Sequence, residues 1–175
     1  INPDVFNTVR KTPDQFIIAT TGQVIHGEAT QDIFGWSTSL SDDGLTMAVG
    51  SILNDGVNGL NSGSVRVYYR TSTEEAWIQK GVDIDGEAAQ DYAGWSVSLS
   101  TDGDRLAIGA VFNDDGLNEN TGHVRVFDWN NGTSQWNQVG IDINGGTSGD
   151  FFGYAVSMSA DKTRIAIGAP HGLNM

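Results

Sequence analysis

The chain has 175 residues, 23 of them glycine, with 22 acidic side chains against 9 lysines and arginines and a net charge of −13. This charge disfavours nucleic acids and anionic membranes as partners, because no cluster of Lys and Arg is present to displace phosphate counterions. The absence of cysteine excludes disulfides, thiolate metal sites and cysteine nucleophiles. No apolar run approaches the ~20 residues of a membrane span. Residues 1–4 (INPD) contain neither an initiator Met nor a signal segment, so we expect a stretch of a longer protein.

A repeat of 59 residues organises the sequence. Residues 27–85 and 86–144 align without a gap and are identical at 27 of 59 positions, which indicates internal duplication. The repeat predicts four segments: two strands of a boundary unit in residues 1–26, complete repeats at 27–85 and 86–144, and the first two strands of a third repeat at 145–175.

Each repeat contains four stretches that predict short strands. The first begins at Trp36 and alternates large and small side chains. An Asp-Gly pair at residues 43–44 then predicts a tight hairpin turn into the second strand. The third begins at Val65, and a final stretch carries Trp77 and continues to Ile84. No stretch shows a helical period.

Four antiparallel strands in a unit of this size predict an all-β fold, a β-propeller of which about three blades are present. A β-trefoil and a stacked β-solenoid are the alternatives. The predicted bulky face of the first blade carries Trp36, Leu40, Met47 and Val49, and the predicted small face carries Ser37, Ser39, Ala48 and Gly50. Small residues would let the next blade approach closely. Because a ring needs at least about four blades, we expect further blades from the same chain or from neighbouring chains.

A family resemblance rests on the ends of the first two strands of each unit. Phe152 and Gly153, followed by Gly168, Ala169 and Pro170, resemble the FG-GAP signature of the propeller blades in integrin alpha chains. Looser copies are Phe34 and Gly35 with Gly50, and Gly94 with Gly109. The acidic repeats are most similar to those of secreted microbial and algal proteins. The resemblance implies a propeller, usually of about seven blades, outside the cell or on its surface.

The calcium loop of the integrin type is missing from this sequence. That loop needs several carboxylates to wrap one cation, whereas the corresponding links are short, at residues 41–44, 100–103 and 159–162. The Asp-Gly pairs of the first two links are typical of turns. We therefore expect no cofactor, and Ca²⁺ only if another loop supplies the ligands.

The polar loop after the second strand is the remaining candidate binding region. Its side-chain oxygens could hold Ca²⁺ or sugar hydroxyls, although turning loops use the same residue types to bond their own backbone. The candidate ligands are Asn54, Asp55, Asn58, Asn61, Asn113, Asp114, Asp115, Asn118 and Asn120. A second acidic strip, formed by Asp32, Asp91 and Asp150, is more typical of structural bonds to a neighbouring loop.

No catalytic constellation emerges from the residue pattern. His26, His123 and His171 do not recur at matched positions and have no metal-ligand or nucleophile spacing, so we expect incidental surface or loop residues. The distinctive residues recur from unit to unit, whereas an active site needs one asymmetric cluster. We therefore expect no enzymatic activity.

The triplet Asn131-Gly132-Thr133 lies in the predicted hairpin between the third and fourth strands and is an N-glycosylation signal if the protein is secreted. Nearby Trp129 would be a sugar-stacking platform or a cap on the sheet edge. The sequence thus predicts a non-catalytic extracellular or cell-surface propeller module for protein interaction, adhesion or assembly. The alternative is a carbohydrate- or calcium-dependent lectin.

Overall fold

The computed structural model describes residues 23–116 and 118–172, together with the backbone of residues 15–17. The predicted boundary unit in residues 1–26 lies mostly outside these residues. The described part contains antiparallel strands and no helix. The strands are β1 (Gln15–Ile17), β2 (Val24–His26), β3 (Phe34–Leu40), β4 (Thr46–Ser51), β5 (Ser64–Tyr69), β6 (Ile78–Gln79), β7 (Ile84–Asp85), β8 (Ala93–Leu99), β9 (Arg105–Ala110), β10 (His123–Asn130), β11 (Gln135–Gln138), β12 (Ile143–Asn144), β13 (Ala155–Met158) and β14 (Ile165–Gly168).

The two complete repeats form two blades with the same strand order. The first blade is ordered β3-β4-β5-β6, with β7 also paired to β5, and the second is ordered β8-β9-β10-β11, with β12 also paired to β10. Strands β13 and β14 form a third, two-stranded sheet, and β1 pairs with β2. Strands β3, β8 and β13 are neighbours across the sheets, so the first strand of each unit is the innermost. The predicted all-β propeller architecture is confirmed.

The predicted hairpin turn between the first two strands is present in both blades. The Ser41 amide donates to the Thr46 carbonyl over 2.9 Å, and Gly44 has a φ of 68°. The Asp43 carboxylate accepts hydrogen bonds from the Ser41 hydroxyl at 2.6 Å and the Leu45 amide at 2.9 Å. These bonds lower the pKa of Asp43, because they favour its charged form.

The fourth strand differs from the single stretch predicted by the sequence. In the first blade, β6 pairs with Tyr68 and Tyr69, β7 pairs with Ser64 and Val65, and residues 81–83 leave the sheet between them. The second blade has the same interruption at residues 140–142, between β11 and β12. A local feature explains both breaks, since Gly81 and Gly140 have positive φ angles of 86° and 75°.

Small residues join the blades, as the alternation predicts. The Ser37 hydroxyl donates to the Gly94 carbonyl over 2.6 Å, and a Cβ on Gly50 would lie only 2.2 Å from that same oxygen. Ser39 Oγ accepts the Leu99 amide at 2.9 Å. The blade interface is also apolar, because buried Ala48, Val65 and Val67 share one cluster with the facing side chains Ala93, Val97, Leu99, Leu106, Ile108, Ala110 and Phe127.

The bulky face of the first blade is only partly as predicted. Met47 and Val49 are fully buried, in a cluster with Phe34, Tyr68 and Trp77 that Ile25 of β2 also contacts. Leu40 and Trp36, however, are 53% and 46% exposed. The Trp36 ring instead contacts Trp95 of the next blade, at 5.1 Å between ring centroids.

The motif glycines occupy a bulge in the innermost strand. The register shifts between Phe34 and Thr38 and again between Ala93 and Ser96. Gly35, Gly94 and Gly153 have φ angles of 90°, 86° and 90°, a region that residues with a Cβ adopt at a cost. The first Gly of the FG-GAP signature is therefore required by this backbone bend.

Candidate functional site

The candidate binding residues lie at one end of the blades, which we call the loop face: residues 27–33, 52–63, 86–92, 111–116 and 118–122. In an antiparallel blade, the link from the second to the third strand and the link into the next first strand emerge at the same end. Asp32 ties these two links together, since it accepts the Ala29 amide at 2.9 Å and the Asn54 amide group at 3.3 Å. Asp32 is 5% exposed, so these partners replace lost water.

The second blade repeats this tie. Asp91 accepts the Ala88 amide at 2.8 Å and the Asn113 side chain at 3.3 Å. Burial raises the pKa of Asp91, and these hydrogen bonds offset only part of that rise. Asp150, the third member of the strip, bonds within its own loop, accepting the Gly146 and Thr147 amides at 2.9 and 2.8 Å.

Several predicted ligand residues shape the loop backbone. Asp55 Oδ1 accepts the Asn61 amide at 2.8 Å, and Asp114 Oδ1 accepts the Asn120 amide at 2.7 Å. Asn58 donates from its side chain to the Gly86 carbonyl over 2.7 Å. The backbones of Asp115 and Asn118 exchange two hydrogen bonds of 3.1 Å each. These are turn contacts of the kind that Asn and Asp supply, and they leave the proposed ligand role a prediction.

The structure brings part of the predicted set into two clefts. The first, of about 270 Å³, is lined by Glu28, Asp32, Asn54, Asp55, Leu60 and Asn61, among others. The second, of about 440 Å³, lies in the equivalent place in the next blade and is lined by Ala89, Gln90, Tyr92, Phe112, Asp114, Glu119 and Asn120. Asn58, Asn113, Asp115 and Asn118 do not line either cleft.

An aromatic row crosses the inner strands near the loop face, and the sequence reasoning missed it. Trp36, Trp95 and Tyr154 occupy the same position in successive repeats, with ring centroids 5.1 and 5.5 Å apart. Trp36 is 46% exposed and Tyr154 is 50% exposed. The 59-residue spacing could have revealed the row, but the alternation pattern assigned Trp36 only to packing between blades.

The expectation for the histidines is wrong for His123. This residue belongs to β10, opposite Ala110 and Asn144, and is 1% exposed. Burial and, to a smaller extent, the nearby Arg125 guanidinium together lower the pKa of His123 to about 4. His26 and His171 are exposed, as expected.

The glycosylation triplet is exposed between β10 and β11. Asn131 Oδ1 accepts the indole N–H of Trp129 at 2.8 Å. The Trp129 ring packs against Trp136, with centroids 5.4 Å apart, and the Lys80 ammonium lies 5.2 Å from the Trp129 ring centre. Trp129 therefore covers a contact between two blades. Glycan occupancy of Asn131 stays a prediction.

The one group of three or more histidine and acidic side chains spaced for a metal ion, among residues 23–116 and 118–172, is Glu87, His123 and Asp142. None of these was a predicted ligand. Glu87 lies on the loop face, His123 begins β10, and Asp142 lies in the interruption before β12. Within the described ranges, no helix is long and apolar enough to cross a membrane.

Comparison with known proteins identifies the repeat. A model of the FG-GAP repeat matches residues 26–68 and 79–127, which is more than half of the chain. The solved structure of Pseudomonas aeruginosa periplasmic gluconolactonase is 15% identical, with a TM-score of 0.49, and the match covers 87% of this chain and 41% of that one. The chain thus spans less than half of that structure's length. No curated protein sequence matches the chain. The chain belongs to the FG-GAP repeat family.

Proposed function

We propose that the chain is a non-catalytic binding module of an extracellular or cell-surface protein, and that it binds protein partners through the loop face. The observation that carries this proposal is a pair of exposed apolar side chains in the first loop after β4. Val57 is 89% exposed and Leu60 is 58% exposed. Exposed apolar side chains on an ordered loop are typical of interaction sites.

The loop that carries Val57 and Leu60 is held by its own hydrogen bonds. The Gly59 amide donates to the Gly56 carbonyl at 3.1 Å, and the Gly63 amide donates to the Asn54 carbonyl at 3.0 Å. The Asp55 carboxylate and the Asn58 side chain add the two bonds described above. A loop fixed in this way loses little conformational freedom on binding, which favours affinity.

Charge indicates the kind of protein partner. Glu28, Asp32 and Asp55 line the cleft beside Leu60, and the whole chain carries a net charge of −13. A partner with an apolar centre and a basic rim would be complementary to this surface. Membership of the FG-GAP family, with its extracellular relatives, supports a location outside the cell, and so does the exposed glycosylation triplet.

An adhesion assay tests this function. Beads coated with the chain are counted on cells of the source organism and on the material that these cells secrete. We expect the double variant Val57→Ser/Leu60→Ser to lower the count at least about tenfold, since a hot-spot side chain contributes ~1–2 kcal/mol or more. The matched control is Ile141→Ser, because Ile141 is 88% exposed in the outer interruption of the second blade. Equal loss in the control, or no loss in the double variant, would contradict the proposal.

The aromatic row favours a second function, the binding of carbohydrate. Aromatic faces at this spacing offer stacking surfaces for successive sugar rings, and the loop-face amides and carboxylates offer hydrogen-bond partners. Trp36→Ala and Tyr154→Ala would then each weaken binding to a glycan array. The calcium-dependent form of this function predicts a loss in chelator and in Asn54→Ala and Asp55→Ala, and unchanged binding would argue against it.

A further inference from the structure

Three side chains from separate parts of the second repeat meet at the outer rim of the loop face. One imidazole nitrogen of His123 and one carboxylate oxygen each of Glu87 and Asp142 all lie within 4.8 Å of one another. The two oxygens of Glu87 have different neighbours: Oε2 is 3.7 Å from His123 Nδ1, and Oε1 is 3.7 Å from the Arg125 guanidinium. Carboxylate and imidazole together form a typical donor set for Zn²⁺.

The histidine is an independent sign of a ligand. His123 is 1% exposed, and its Nδ1, the nitrogen that faces Glu87, lies 3.7 Å from the carboxylate, beyond hydrogen-bond distance. Its Nε2 is buried without a hydrogen-bond partner as well. A buried polar side chain without a partner is costly and calls for an explanation, such as an ion.

The charge around the cluster suits a cation. Arg125 lies beside the cluster, since one of its guanidinium nitrogens donates to the Asp85 carbonyl at 2.7 Å and another lies 3.7 Å from Glu87 Oε1. The cluster nevertheless holds two carboxylates, those of Glu87 and Asp142, which lie close enough to repel each other. A bound dication would remove this repulsion between the two carboxylates.

The first repeat provides a natural comparison. Positions 87, 123 and 142 correspond to Glu28, Ser64 and Asp83 across the 59-residue period. The two carboxylates are thus kept, and burial together with the Glu28 charge raises the pKa of Asp83. The imidazole, however, is replaced by a hydroxyl. The second repeat alone therefore has the nitrogen donor.

We propose that Glu87, His123 and Asp142 form a zinc-binding site of this protein. Ligand atoms around tetrahedral Zn²⁺ lie about 3.5 Å apart when the bonds are about 2.0–2.2 Å long. The cluster must therefore contract slightly. Glu87 can move to do so, because its side chain is 41% exposed. Three protein ligands leave a coordination position for water.

Zinc binding is measured on the untagged full chain by equilibrium dialysis with Zn²⁺ alone, and the ligand geometry by the visible absorption of added Co²⁺. We expect one tightly bound Zn²⁺ per chain, and an intense tetrahedral Co²⁺ spectrum. His123→Ser copies the first repeat and should lower the affinity at least about 100-fold, since losing an outer partner alone costs 10–100-fold. Asp142→Asn should lower the zinc affinity by a similar factor, and it leaves β10, which contains the buried His123, unchanged.

Three further variants test whether zinc binding depends on this cluster. Asp83→Asn changes the equivalent carboxylate in the first repeat and should leave zinc binding unchanged. Ser64→His adds the missing imidazole there and should raise the stoichiometry to two. His26→Ser/His171→Ser should have no effect, because these exposed histidines lie outside the cluster. Far-ultraviolet circular dichroism checks that each variant is folded.

A wild-type chain that takes up no Zn²⁺, or a folded Asp142→Asn variant that binds as tightly as the wild type, would overturn the proposal. Equal losses in Asp83→Asn and Asp142→Asn would also overturn it, because they would show only general attraction of the cation to acidic loops.

Discussion

The hydroxyl of Ser37 donates a 2.6 Å hydrogen bond to the main-chain oxygen of Gly94 in the next blade. Ser96 makes the same bond to Gly153, at 2.7 Å. Gly94 belongs to the bulge of β8, and Gly153 has a similar positive φ angle just before β13. The serine of one repeat therefore holds the motif glycine of the following repeat, so the FG-GAP signature acts between units as well as within them.

The close approach of Gly50 to the next blade predicts that a side chain at this position lowers the stability of the fold. In Gly50→Ala the new methyl group would lie 2.2 Å from the Gly94 carbonyl oxygen, so the blades must separate. We expect the free energy of unfolding to fall by about 2–3 kcal/mol, near the upper range for overpacked sites. Urea unfolding measures the change. Gly146→Ala is the control, because Gly146 lies in a loop and its Cβ has 3.5 Å to the nearest atom. Equal losses in the two variants would contradict the steric explanation.

Lys80 should stabilise the contact between the two complete blades. Its ammonium donates to the Gly103 carbonyl at 3.0 Å and to Asp104 at 2.7 Å, although Lys80 itself is only 9% exposed. Lys80→Met keeps the apolar stem and removes these charged hydrogen bonds, so we expect a loss of about 1–3 kcal/mol. Tryptophan fluorescence should change as well, because the ammonium lies over the indole rings of Trp129 and Trp136. Gln79→Met, at an exposed neighbour, should change stability by less than about 0.5 kcal/mol.

The turn between β8 and β9 in the second blade predicts that the stability of the folded chain depends on pH in acid. Partial burial alone would raise the pKa of Asp102, but the Lys162 ammonium, the Ser100 hydroxyl and the Asp104 amide together lower it to about 2. A lowered pKa stabilises the folded chain above the unfolded value of 3.8, and this contribution disappears as the pH falls from about 4 to about 2.

This pH dependence is measured as the urea midpoint of the wild type and of Asp102→Asn between pH 5 and pH 2. The gap between the two should be constant above pH 4 and close below it. Because the Asp102 side chain is 50% exposed, solvent screening limits the gap to about 1 kcal/mol or less. If the difference in urea midpoint between the two chains grew as the pH fell, the prediction would be contradicted.

Glycosylation of Asn131 is testable by mass. Its triplet is the only Asn-X-Ser/Thr sequence in the chain, and its side-chain oxygen, not its nitrogen, is engaged with Trp129. Secretion from a eukaryotic host should give a mass increase that glycosidase removes. Asn131→Gln and Thr133→Ala should both abolish it, whereas Asn130→Gln should not. A secreted chain with no glycan at this peptide would contradict the prediction.

The sequence predicts the inner part of each blade well, because local rules determine it. Alternation and the Asp-Gly turn place β3 and β4 and assign Ser37 and Gly50 to the contact with the next blade. The outer strand was less predictable. Trp77 and Ile84 fall in one continuous pattern, and the positive φ of Gly81, which divides that pattern, cannot be read from a glycine alone.

The candidate sites depend on distances that local patterns do not contain. Glu87, His123 and Asp142 are spread over more than fifty positions, and pairing of β10 with β9 and β12 brings them together. The change from Ser64 to His123 in otherwise similar repeats was the one visible sign of them. The aromatic row was visible as a repeat of Trp36, but its partial exposure depends on the geometry of the bulge.

The interrupted fourth strand also bears on self-association. A propeller blade ends in an outermost strand, and an unbroken edge of that kind can pair with another chain and start aggregation. Here each outer edge consists of two short pieces, since residues 81–83 and 140–142 leave the sheet. A strand from another molecule would meet only two to four residues before the edge bends away. The repeat therefore protects every complete blade from strand addition at the same place.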